Sequence, residues 1–167
     1  NESILIPHEY FETAKAGEML ALIYGDGSSQ TTQNEMVLSQ NMHTVYKIPA
    51  EIKSVFNSCF PFAIQSHQNS LLINVEKSYS NLLYCCFYPS HFTVLLRNKS
   101  KLQVIQNFEY QIPEDVVYHL LNICQNFEID PSHPIIKLCG LIDEESILYK
   151  ELYKYFLQLE FATLPGE

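Results

Sequence analysis

The sequence predicts an α/β fold whose second half is a mixed sheet in the order βββαβαβ, flanked by helices. Two stretches carry that expectation. From Leu82 to Tyr110, bulky and aromatic residues fall into three strand-length blocks, divided by turn chemistry at Tyr88-Pro89-Ser90 and at Asn98-Lys99-Ser100. From Pro113 onward, helix-period and strand-length apolar runs alternate, the signature of crossover units. The expected strand order is 3-2-1-4-5, with strands 1 and 4 parallel neighbours.

Three strand-like runs end in Ile-Pro and pass into a helix with an acid in its first turn: Ile6-Pro7-His8-Glu9, Ile48-Pro49-Ala50-Glu51 and Ile112-Pro113-Glu114-Asp115. Proline loses nothing at the first helical position, where the amide has no partner, and the acid favours the positive end of the helix dipole. After Pro7 the pattern predicts a helix broken by Gly17, with Met19, Leu20, Leu22 and Ile23 in its second half. The loop Tyr24 to Ser29 resembles a phosphate loop only in its glycines, because it follows a helix and has no Lys. Glu35 to Gln40 and Met42 to Ile48 read as strands with Asn41 in the turn. Past Pro49, Ile52, Val55, Phe56, Cys59 and Phe60 mark the inner face of an amphipathic helix that Pro61 stops before a short strand, Phe62 to Gln65. Ser66 is placed to cap a further helix carrying Leu71, Leu72, Val75 and Tyr79.

In the third block Leu102, Val104, Gln106 and Phe108 alternate with Gln103, Ile105, Asn107 and Glu109, a half-buried strand that puts Glu109 on the solvated side. The helix from Pro113 aligns Val117, Leu120, Leu121, Cys124 and Phe127 on one face. Ile135 to Cys139 is a short strand, Asp143-Glu144-Glu145-Ser146 opens another helix with Leu148, Leu152, Tyr155 and Phe156 inward, and Leu159 to Thr163 closes the sheet.

Composition narrows the function classes. A net charge of -9 and ten scattered Lys and Arg residues oppose a phosphate-neutralising surface, so nucleic acid is not an expected partner. The longest apolar or aromatic run, Leu82 to Tyr88, is far short of the roughly 20 residues that cross a bilayer. Cys59, Cys85, Cys86, Cys124 and Cys139 form no metal spacing and sit in apolar patterns, which reads as reduced, buried thiols of a cytoplasmic protein. Vicinal Cys85 and Cys86 point to opposite strand faces and are not a disulfide pair. The six histidines have no paired ligand spacing, and no metal is expected.

Three meandering strands followed by right-handed crossovers are shared by ribonuclease H and by each half of the actin and sugar-kinase fold. The stretch Val45-Tyr46-Lys47-Ile48-Pro49-Ala50-Glu51 through Ser66-His67-Gln68-Asn69-Ser70-Leu71-Leu72 resembles the actin-like proteins of pilus assembly and cell division. Val45-Tyr46-x-Ile48-Pro49-x-Glu51, Asn107-Phe108-Glu109-Tyr110 and Leu138-x-Gly140 to Glu144 are more similar still to an uncharacterised bacterial domain-of-unknown-function family, seen mainly in Bacteroidetes, with an actin-like ATPase fold. That resemblance covers nearly the whole chain. It implies a longer protein whose first lobe begins upstream of Asn1, so that 1–80 is a partial first lobe with connecting helices and 81–167 a second lobe.

Nucleotide-binding proteins of the actin-like kind grip phosphates between two hairpins, with an Asp that orients magnesium-bound water and a Gly that lets amides approach. The equivalent turn here, Phe87 to Thr93, has neither acid nor glycine, and Pro89 has no N–H. Ser90 and Thr93 keep hydroxyls, and Gly140 stands where such proteins have a glycine pair against adenosine, although Leu141 breaks the pair. Ribonuclease H chemistry needs several carboxylates on the central strands, and Leu82 to Leu96 contains none. Acids at Asp143 to Glu145 are explained by helix capping. Two functions are thus open. One is a degenerate, noncatalytic actin-like module, a pseudo-ATPase that acts by binding protein. The other is an ATPase whose phosphate-binding residues lie upstream, with ATP and magnesium as cofactors and Ser90, Thr93 and Gly140 at the nucleotide.

Overall fold

A computed structural model describes residues 2–25, 30–74 and 79–162. The chain divides into two compact units, 1–75 and 76–167. In the first, strands β1 (Ser3–Pro7), β2 (Gln30–Val37) and β3 (Met42–Pro49) form an antiparallel sheet in the order β1-β3-β2. Asn41, at φ 53, makes the tight entry to β3 that its short polar side chain tolerates. Helix α1 (Ala16–Tyr24) buries Ala16 and Leu20 against Ile6 and Val45. Leu22 and Ile23, in the second half of the helix as expected, are exposed.

Several expectations for this unit are corrected. The break after Pro7 is at Phe11-Glu12, between two short 3-10 turns, while Gly17 sits inside α1. Leu38 to Gln40 is a 3-10 turn rather than strand. Helix α2 (Ala50–Cys59) forms where its period places it, yet none of its residues is buried, and Ile52, Val55, Phe56 and Phe60 face solvent. The strand expected over Phe62 to Gln65 does not form, and Phe62 is 98% exposed. Helix α3 (Gln68–Asn74) is capped by His67, whose Nδ1 accepts the Asn69 N–H at 3.1 Å, and not by Ser66, whose hydroxyl donates to Glu35 at 3.0 Å. Leu71 is exposed whereas Leu72 and Ile73 are buried. Val75, and Asp26 to Ser29 of the glycine loop, lie outside the described residues.

In the second unit, β4 (Leu82–Phe87), β5 (His91–Asn98), β6 (Lys101–Glu109), β7 (Ile135–Gly140) and β8 (Leu159–Phe161) form a mixed sheet in the order β6-β5-β4-β7-β8. This is the 3-2-1-4-5 order read from the sequence, with β4 and β7 parallel. Lys99 and Ser100 both take positive φ, the mirror-type turn that fits the twist of a two-residue hairpin. Helices α4 (Pro113–Asn126) and α5 (Ile147–Leu152) join one core with one face of this sheet, including Leu83, Cys85, Phe87, Phe92, Val94 and Leu138. The buried stripe of α4 is Val116, Val117, Leu120, Ile123 and Cys124; Leu121 and Phe127 only flank it. Its first turn is fixed by Asp115, whose carboxylate accepts the Gln111 and Ile112 N–H groups at 2.9 and 3.1 Å and is held below its ordinary pKa by them. Ser146 caps α5 by accepting the Tyr149 N–H, and Tyr155, expected inward, is exposed.

Candidate functional site

The residues singled out for a phosphate site gather at one end of the five-stranded sheet. Phe87, the last residue of β4, pairs with Phe92 on one side and with Gly140 on the other; one step inward, Cys86 pairs with Thr93 and with Cys139. Ser90 stands exposed in the connection from β4 to β5. This edge includes the carboxyl end of the parallel β4–β7 pair, where α/β sheets most often bind ligands.

The turn itself is closed by its own groups. The Tyr88 N–H donates to the His91 carbonyl at 2.9 Å, and Pro89 has no proton to give. The Tyr110 hydroxyl donates to the Tyr88 carbonyl at 2.7 Å, and the Tyr110 N–H to the Ser90 carbonyl at 3.1 Å. Tyr88 and His91 stack with ring centroids 4.6 Å apart and planes within 9°. Phe87 and Phe92 lie fully buried beneath, and Tyr110 meets both edge-on. An anion cradle needs backbone amides aimed at an open concavity; here aromatic rings and internal hydrogen bonds occupy the turn.

The other two residues have structural work of their own. Thr93 is buried and its hydroxyl donates to Asn107 Oδ1 at 2.6 Å, a link from β5 to β6. Gly140 has φ +84, and a Cβ on it would lie 2.2 Å from the Phe87 carbonyl oxygen. That oxygen accepts the Leu141 N–H at 2.9 Å, so the glycine lets the chain leave β7 tight against β4. Glu109 is exposed, as strand alternation requires. Among the described residues no group of three or more His, Cys, Asp or Glu side chains is arranged to hold a metal.

Sequence reasoning missed the partnership of two cysteines. Cys86 and Cys139 face each other across β4 and β7, both half-buried, and Cys86 Sγ lies 3.4 Å from the Tyr88 hydroxyl. Hydrogen bonding with Cys139 is the chief cause that lowers the Cys86 pKa, against the opposing effect of burial, while the Cys139 pKa is raised. Cys85 and Cys124 are buried thiols as expected, with Cys124 pushed up to about 11, chiefly by burial. Cys59 is exposed on α2, contrary to expectation. The only available signal was that Cys86 and Cys139 each lie near the end of a strand of the parallel pair; the register that joins them is a tertiary fact.

The family model "Protein of unknown function (DUF3822)" matches residues 1–159. A crystal structure from Bacteroides thetaiotaomicron, described as a protein with actin-like ATPase fold and unknown function, superposes with a TM-score of 0.84 at 20% identity, over 96% of this chain and 65% of that one. The chain thus spans about two thirds of the length of that protein. No curated protein matches.

Proposed function

The chain belongs to the DUF3822 family and has an actin-like ATPase fold, and we propose that it is a noncatalytic module of that fold which acts by binding protein. The observation that carries the reading is the uncovered face of α2. Ile52, Val55, Phe56 and Phe60 form one continuous apolar stripe on that helix, with Phe62 and Ile64 exposed just beyond it. Scattered apolar residues on a surface need no explanation, but a contiguous apolar patch marks an interface. Its aromatic content and lack of charge suit the centre of a protein contact. The partner is a protein segment that presents its own apolar side chains.

The closed turn at Tyr88 to His91 supports the noncatalytic half. It offers no carboxylate for magnesium, and the stacked Tyr88 and His91 rings fill it. A photo-crosslinking amino acid at position 56, in the cell that makes the protein, tests the interaction. A discrete adduct identified by mass spectrometry is expected from position 56 and none from exposed Ser54, which lies well away from the stripe. The absence of any adduct from position 56 overturns the reading.

The length of the related Bacteroides protein favours a second reading. A chain spanning 65% of it leaves room for an ATPase whose phosphate-gripping residues lie in polypeptide beyond this one, with Ser90, Thr93 and Gly140 beside the nucleotide. That reading requires magnesium-dependent ATP binding by the longer protein and its loss on Gly140→Val, in a variant still folded by circular dichroism.

A further inference from the structure

We propose that Cys86 and Cys139 are an oxidation site, closing a reversible disulfide across the parallel β4–β7 pair when the protein meets a peroxide. The register sets the two residues directly opposite one another. Neighbouring strands run roughly 4.7–4.9 Å apart, and a disulfide spans Cα atoms about 4.4–6.8 Å apart, so the backbone already holds the pair within bonding range. Their strand neighbours Cys85 and Leu138 point into the core under α4 and α5, so the two thiols share the opposite face. On that face Tyr88 reaches Cys86 and Tyr84 hydrogen-bonds Cys139.

The other cysteines make useful contrasts. Cys85 and Cys124 are sealed in the core, where burial keeps the thiol protonated and inert. Cys59 is accessible but sits in the other compact unit, on α2. Cys86 combines partial access with hydrogen bonds that favour the thiolate, and that thiolate is the form that attacks.

The chemistry balances with hydrogen peroxide as oxidant. The Cys86 thiolate attacks one peroxide oxygen, an S–O bond forms as the O–O bond breaks, and the departing hydroxide takes a proton to become water. Cys139 then gives up its proton and its sulfur attacks Cys86; the S–S bond forms, the S–O bond breaks, and a second water leaves. Two thiols are oxidised by two electrons and one peroxide is reduced to two waters.

The test uses the full chain carrying Cys59→Ser, which leaves four of its five cysteines. Alkylation in denaturant after brief treatment with hydrogen peroxide is expected to fall from four sites to two, with a non-reduced peptide joining residues 86 and 139. Dithiothreitol should restore all four. With Cys139→Ser added, the sulfenic acid at Cys86 has no thiol to resolve it, and a dimedone adduct should map to position 86. Four alkylated cysteines after peroxide, or a sulfinic acid at Cys86 with no linked peptide while Cys139 is present, would overturn the proposal.

Discussion

Helices α2 and α4 carry the same kind of sequence pattern and meet opposite fates. Both follow an Ile-Pro step, both have an acid in the first turn, and both align apolar residues at helical spacing. In α4 that stripe disappears into a core shared with α5 and a five-stranded sheet; in α2 nothing among the described residues buries it. Periodicity states which face of a helix avoids water and says nothing about what covers it. The difference separates a helix that holds the fold together from one whose apolar face is free to be spent on a partner.

Truncating the covered stripe should cost most. Leu120 is fully buried, and Leu120→Ala is expected to destabilise the second unit by about 2–5 kcal/mol in urea unfolding. A loss under about 1 kcal/mol would mean that α4 is no better buried than α2. Next comes the sheet beneath it. Gly140→Ala adds a Cβ against the Phe87 backbone at a positive φ, with an expected cost of about 1–3 kcal/mol for the strained conformation alone, read by the same unfolding curves.

A smaller effect distinguishes the helix starts, since in α4 the Asp115 carboxylate reaches back to the two amides just before the helix and α2 has no side-chain cap. The Asp115 pKa is depressed in the folded state, so its stabilisation is present above the unfolded value of about 3.9 and is lost as pH falls through the folded value. Asp115→Ala should therefore lower the melting temperature at neutral pH, and its gap from the parent should close in acid. A gap that stays constant into acid would remove the carboxylate from the account. The smallest effect belongs to the uncovered stripe. Phe56→Ala should change stability within about 0.5 kcal/mol, yet it should weaken any association made by α2. If it costs as much as Leu120→Ala, the stripe is core and the comparison fails.

Those two helices also mark how far the sequence could be read. The five-strand order was legible because turn chemistry at Tyr88-Pro89-Ser90 and Lys99-Ser100 fixes two hairpins, and the crossover rules then leave few positions for β7 and β8. The Phe62 to Gln65 segment was misread because apolar content favours a strand only where another strand is available to pair with it, and there it has none. Of the expected stripe of α4, Val117, Leu120 and Cys124 are buried, while Val116 and Ile123 take the places given to Leu121 and Phe127, since these are all apolar and only packing chooses among them. At the candidate site, Pro89 and the missing carboxylate could be read directly, whereas the Tyr110 contact to Tyr88 and the Cys86–Cys139 register join residues far apart in the chain.

The most direct measurement of the claim that an actin-like frame survives here without its phosphate grip is thermal unfolding of the full chain with and without millimolar Mg-ATP. A ligand at about 100 times its dissociation constant stabilises the native state by about 2.7 kcal/mol, a rise of several degrees for a chain of this size. The account predicts superimposable curves. A magnesium-dependent rise of that order, absent with magnesium alone, would contradict it.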